Sequence, residues 1–273
     1  VDVFQSTRKE MPHLALKLIV NPGASIPAAV NAGIGIAQGH IIIRLDAHSV
    51  PSPNYIASAV THLQDGSVGV VGGVWKVAAG ARSATARAIA QAVSHPLGAG
   101  DAAYRTLSDE GPPVDADTVP FGCFQRGLWT KLRGFDELLR ANEDYEFNYR
   151  VRESGLRVLL DPRMCCVYHA RPTLSALARQ YFRYGWWKVQ MLRKFPLSLR
   201  WRQAVPAAFV ALIALLSIVG VVNTTAWWLF GGILAMYGLG LGATSLAVCT
   251  RERSWSRVPP LVAAFATIHL CWG

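Results

Sequence analysis

Charge is scarce in this sequence: Asp, Glu, Lys and Arg make up 16% of 273 residues, while 52% are hydrophobic. That is apolar for a soluble protein, and the apolar excess lies after Ala204, which points to a membrane part. No zinc-finger or RNA-binding motif is present. The net charge of +10 is instead crowded at Lys188 to Arg202 and Arg251 to Arg257, beside apolar runs. Such clusters face anionic lipid, so no nucleic-acid partner is expected. CxxC spacing is absent among the five cysteines. Cys165 and Cys166 are adjacent, and Cys249 and Cys271 sit in apolar runs, which suits reduced structural thiols and a cytosolic soluble part. No GxGxxG follows a strand, which argues against a nucleotide-dependent oxidoreductase. The opening residues carry neither an initiator Met nor a secretory-signal pattern, and the sequence breaks off in an apolar run. The expectation is a piece of a longer protein.

What is present reads as an α/β domain followed by apolar helices. Leu14 to Val20 reads as a strand and Asn21-Pro22-Gly23 as a turn. Ser25 caps a helix through Gln38 with Pro27 in its first turn, and His40 to Leu45 forms a β-branched strand ending at Asp46. Strand, helix, strand at this spacing predicts a βαβ unit and a parallel sheet. Further helices are expected over Pro53–Leu63 and Ala81–Val93, and strands over Val68–Val77, with a Gly72-Gly73 kink, and Val119–Gln125. His95 to Thr118 reads as a long loop. Leu156 to Leu160 reads as a strand, turned by Asp161-Pro162 into Met164 to His169, and Thr173 to Lys194 as a long helix. Ala204 to Val222 carries no charge over a length that spans roughly 28 Å as a helix, about a bilayer core. Ala226 to Cys249 and the stretch from Pro259 are further apolar runs. Basic residues flank the first span and the loop after the second. The positive-inside rule therefore puts the catalytic domain and the Arg251 to Arg257 loop in the cytoplasm and the Asn223 turn outside.

Three places can carry chemistry. Glu143, Asp144 and Glu146 open a helix that Asn142 is placed to cap. On capping preferences the run fits first an ordinary acidic first turn; the sharper reading is a turn that aims one acid into a cleft as a general base. Asp46 lies at the carboxyl end of a strand, where such sheets bind ligands. It either caps the loop or holds a divalent cation with His48. Gln180 and Arg183 share one face of the long helix, whose aromatics also suit a membrane surface.

Taken in order, Asn21-Pro22-Gly23, Asn31-Ala32-Gly33, Leu45-Asp46-Ala47-His48, Phe121-Gly122, Gly134-Phe135-Asp136-Glu137, Asn142-Glu143-Asp144 and Gln180-Tyr181-Phe182-Arg183-Tyr184-Gly185 resemble the family 2 glycosyltransferases. The likeness is to the succinoglycan-type exopolysaccharide branch, over about residues 14 to 272. The resemblance implies a GT-A fold, a Rossmann-like mixed sheet here lacking the family's first strand, over residues 1–195. An interfacial segment and transmembrane helices at about 204–222, 226–249 and 259–272 would follow. It implies inverting transfer from a nucleotide-sugar, with a UDP-sugar expected, to a polysaccharide or lipid-linked acceptor at the inner membrane. Asp144 matches the catalytic base. Asp46 matches the first acid of the DxD motif, which holds Mn2+ or Mg2+ and the donor diphosphate, and His48 replaces the last acid. Gln180 and Arg183 match a QxxRW-like diphosphate motif in which Tyr184 replaces Trp. Asp2, on a remnant second strand, would bind the base. With the first strand lacking, weak donor binding or a non-catalytic membrane subunit is the alternative expectation.

Overall fold

The computed structural model describes residues 2–21, 25–47 and 49–273. The chain begins with helix α1 (Asp2–Glu10) and α2 (Ile26–Ile36), then β1 (Ile41–Ile43), β2 (Ser49–Pro51), α3 (Tyr55–His62) and β3 (Val68–Ala78). Next come α4 (Ala84–Ser94), the short α5 (Pro96–Ala99) and α6 (Ala103–Thr106), β4 (Val114–Asp115), β5 (Cys123–Gln125) and α7 (Arg126–Lys131). Then follow α8 (Glu143–Glu153), β6 (Arg157–His169), α9 (Leu174–Lys194), α10 (Trp201–Val219), α11 (Thr224–Arg251) and α12 (Val258–Trp272).

The sheet runs β1-β5-β3-β6-β2, with β4 also paired to β6. It is mixed: β3 and β6 are parallel, while β1–β5, β3–β5, β2–β6 and β4–β6 are antiparallel. The first seven residues of β3 are buried, as a central strand covered on both faces requires. One face packs on α2, α7 and α8 through Ile34, Leu128, Phe147 and Val151. The other packs on α3 through Tyr55, Ala59 and Leu63.

Several expectations are corrected. Leu14 to Val20 forms no strand. Its backbone hydrogen bonds are local ones, Leu14 N–H to the Met11 carbonyl and Leu16 N–H to the Leu14 carbonyl, and Val20 is 85% exposed. The βαβ unit therefore does not form, and β1 pairs antiparallel with β5 instead. Asp2 stands not on a strand but in the first turn of α1, where an acid suits the helix dipole. The strand expected from Val119 begins only at Cys123, because Phe121 takes a left-handed φ of 50°. Asp161-Pro162 does not turn the chain. β6 continues through it as a bulge, its register on β3 jumping between Gly73 and Trp75. The fully buried Asp161 carboxylate accepts from the Arg163 backbone N–H at 2.9 Å and lies 2.7 Å from His62 Nε2. Gly73 faces the bulge, and a Cβ there would stand 1.2 Å from the Met164 carbonyl oxygen.

Two helices, α10 and α11, are long and apolar enough to cross a membrane. α10 buries none of its residues, and Trp228 on α11 is 83% exposed. The third apolar run forms α12, which packs on α4 and α9. Its Leu261, Ala264, Phe265 and Ile268 join Ile89, Leu177 and Tyr181 in one core cluster. Gly185 lets α9 approach the end of α12, since a Cβ there would lie 2.5 Å from the Trp272 carbonyl oxygen.

Candidate active site

The site is organised around Arg44, one residue past β1 and 8% exposed. A lone guanidinium at the end of an apolar strand must find acids, and three converge on it. Nη2 lies 3.1 Å from Glu143 and 3.4 Å from Asp46, and Nη1 pairs closely with Asp144. Arg44 Nε is buried without a partner. Glu143 and Asp144 reach this point from the first turn of α8. Glu146 instead turns to the interior and pairs with Arg150 at 2.6 Å, and Arg150 holds the Gly134 carbonyl at 2.7 Å. Asn142 holds the N-cap position of α8, but its side chain makes no capping bond. At φ 64° its amide donates to the Tyr184 carbonyl at 3.1 Å, fastening α8 to α9.

These acids open into a cavity of about 630 Å3. Asp144 faces it with 29% of its side chain exposed, against 8% for Glu143. Burial pushes the Asp144 carboxyl up to about 7. Arg44 opposes the rise, and the Glu143 and Asp46 carboxylates add to it. Asp46 presents its carboxylate to the same space, one-third exposed. Gln180 and Arg183 both line the cavity. Gln180 is buried and donates to the Tyr168 and Tyr184 hydroxyls at 3.1 and 2.8 Å, and Arg183 is exposed. Lys188 lines it too, donating to the Ser198 carbonyl and sitting 3.9 Å from the Tyr145 ring centre. Burial holds its ammonium down at about 8. The far wall is apolar and built by Pro206 and Phe209 of α10, Tyr237 of α11 and Ile268 of α12.

Of the sequence-derived candidates, Asp46, Asp144, Gln180 and Arg183 come together in this cavity. Asp2 is exposed on α1 and is not among the lining residues. His48 and the Pro22-Gly23 turn lie outside the described residues, as does Val1. Among the described residues no group of three His, Cys, Asp or Glu side chains could hold a metal by itself. Sequence reasoning missed Arg44 and Glu143 as a pair. The available signal was a single charge ending a β-branched run, which calls for a buried partner.

The other motif residues meet through one side chain. Asn31 on α2 accepts from the Phe135 N–H at 2.9 Å and from Trp129 Nε1 at 3.1 Å. Its amide donates to the Phe135 carbonyl at 2.8 Å and to Glu137 at 2.9 Å. The Asn31 helix and the Gly134 to Glu137 turn therefore hold each other, and they carry α8 to the sheet.

Comparison with known proteins bears on the family and the fold. A family model described as glycosyltransferase like family 2 matches residues 1–186. The succinoglycan biosynthesis protein ExoA of Rhizobium meliloti (strain 1021) is 29% identical over 262 residues, covering 92% of this chain and 74% of ExoA. A dolichyl N-acetyl-alpha-D-glucosaminyl phosphate 3-beta-D-2,3-diacetamido-2,3-dideoxy-beta-D-glucuronosyltransferase of Methanococcus voltae is 25% identical over 272 residues, covering 97% of this chain and 79% of that enzyme. Among solved structures, the mannosyltransferase PcManGT from Pyrobaculum calidifontis, in complex with GDP-Man and Mn2+, aligns with a TM-score of 0.60 at 19% identity. The alignment covers 97% of this chain and 72% of that one, a likeness of fold. The fold is the GT-A arrangement, and the chain belongs to the family 2 glycosyltransferases.

Proposed function

We propose that the protein is a membrane-bound inverting glycosyltransferase that moves a sugar from a nucleotide donor to a growing exopolysaccharide or lipid-linked acceptor. The carrying observation is a cavity-facing carboxylate, Asp144, raised to about 7 at the mouth of an acid cluster. A general base works best with a pKa near the operating pH. The acceptor hydroxyl oxygen attacks the anomeric carbon as the bond to the leaving diphosphate oxygen breaks, and Asp144 takes the hydroxyl proton. One displacement inverts the anomeric centre, and no enzyme nucleophile is needed. Arg44 keeps Asp144 aimed and offsets the charge of the three acids. Arg183 on the cavity wall supplies a cationic contact to the leaving diphosphate.

Asp46 fits a divalent cation in the mode of one carboxylate plus substrate phosphates, and its chemistry is charge neutralisation on the leaving group. A UDP-sugar is the expected donor. α10 and α11 form a membrane hairpin with the catalytic domain and the Arg251 to Arg257 loop on the cytoplasmic side.

The test is the stereochemistry and metal dependence of transfer by the full-length protein in neutral detergent. Product NMR should show an anomeric configuration opposite to the donor's. Chelator should stop transfer, and Asp46→Ala should abolish metal-dependent donor binding. A retained anomer overturns the mechanism, and transfer that ignores chelator removes the cation.

A further inference from the structure

The cavity holds a further, half-buried guanidinium that this reaction does not use. Arg105, on α6, lines the same cavity as Asp144. Its guanidinium carbon sits 5.1 Å from the Trp75 ring centre and 5.3 Å from that of Tyr104, and Nη1 donates to the Tyr181 hydroxyl at 2.9 Å. Nε is buried with no hydrogen-bond partner. No carboxylate pairs with Arg105 among the described residues, whereas Arg44 in the same cavity gathers three. Ring faces offset part of the cost of burying a guanidinium, but Nε still lacks a partner. A planar guanidinium paired with no carboxylate, beside phenolic hydroxyls, matches a phosphate.

Arg105 and the acids are held by different elements of the cavity wall. The donor end is marked by Asp46 and Asp144. Arg105 is instead tied to Tyr181, which packs in one cluster with Leu261, Phe265 and Ile268 of α12 and Leu241 of α11. From there the wall continues as Phe209 and Pro206 of α10. A ligand whose phosphate sits on Arg105 can lay an alkyl chain along that wall toward the exposed faces of α10 and α11.

We infer that Arg105, with the hydroxyls of Tyr181 and Tyr184 and the amide of Gln180 beside it, is a phosphate subsite for a lipid-linked acceptor. The inference rests on the transfer reading above and names the acceptor class for that cavity. Gln180 thereby serves the subsite's tyrosine network, holding the Tyr168 and Tyr184 hydroxyls in place.

The test is binding, not transfer. Full-length protein in neutral-detergent micelles is titrated with dodecyl phosphate, with inorganic phosphate, and with UDP and GDP. Dodecyl phosphate should bind, and Arg105→Gln should weaken it about tenfold or more while nucleotide affinity stays within about twofold, since one charge-assisted fork is lost. Arg105→Lys, which keeps the charge and loses the fork, should fall between. It carries the test if Arg105→Gln shows no cooperative melting. Dodecyl phosphate binding unchanged in both variants overturns the subsite. So does nucleotide binding lost in parallel, which would place Arg105 at the donor. Inorganic phosphate binding as tightly as dodecyl phosphate overturns the lipid assignment. Binding through Arg105 in a protein that transfers no sugar supports the subsite and counts against the reaction instead.

Discussion

At the scale of single residues, the site is a balance of one guanidinium against three carboxylates. Asp144 is useful as a base only when ionised, and its carboxyl is raised to about 7. Turnover at saturating donor should therefore fall as pH drops through about 7 and level off above it. The paired Arg44 guanidinium opposes the rise. Replacing it with glutamine should move the acid limb of the kcat profile to higher pH as well as slow turnover. A limb that stays in place would mean that Arg44 does not set the ionisation of Asp144. Asp144 and Asp46 could be picked from the sequence because the ordered set of motifs around them is specific. Arg44 could not, since nothing in a run of isoleucines says which acids will close on the charge that ends it. Arg105 was hidden for a related reason. It sits in a stretch without periodicity, and its role depends on aromatic side chains brought in from β3, β6 and α9.

At the scale of elements, the parallel pair β3–β6 is the frame on which α8 and α9 are hung. The tightest point is Gly73, opposite the β6 bulge. Gly73→Ala should cost about 3 kcal/mol or more, because backbone must move to admit the methyl. Gly66, with nothing within 4 Å of an added Cβ, is the control and should change by less than about 0.5 kcal/mol. Chemical denaturation of the two variants checks the contrast. Helices with strong local signals were readable: Ser25 accepts from the Ala28 N–H to start α2, and Thr173 accepts from the Ala176 N–H to start α9. Strand pairing was less so. Leu14 to Val20 has strand composition but local backbone hydrogen bonds, and Asp161-Pro162 has turn chemistry that a long strand absorbs as a bulge. In both cases the deciding partner lies far away in sequence.

At the scale of the whole molecule, the catalytic domain and the apolar helices share one core through α4, α9, α11 and α12. Gln91 on α4 donates to Glu252 after α11, so the loop that follows the second apolar helix returns to the catalytic side. Single cysteines at Thr224 and Ser256 in a cysteine-free background test the orientation. An impermeant thiol reagent on intact cells should label the first and spare the second, and the reverse pattern would put the catalytic cavity outside. The central claim is narrower: Asp144 is the base of a sugar transfer in this cavity. It is tested most directly by kcat and donor Kd for Asp144→Asn in the full-length protein. The account predicts turnover lowered at least about a hundredfold, as for loss of a general base, with donor affinity retained. Near-normal turnover in that variant would contradict it.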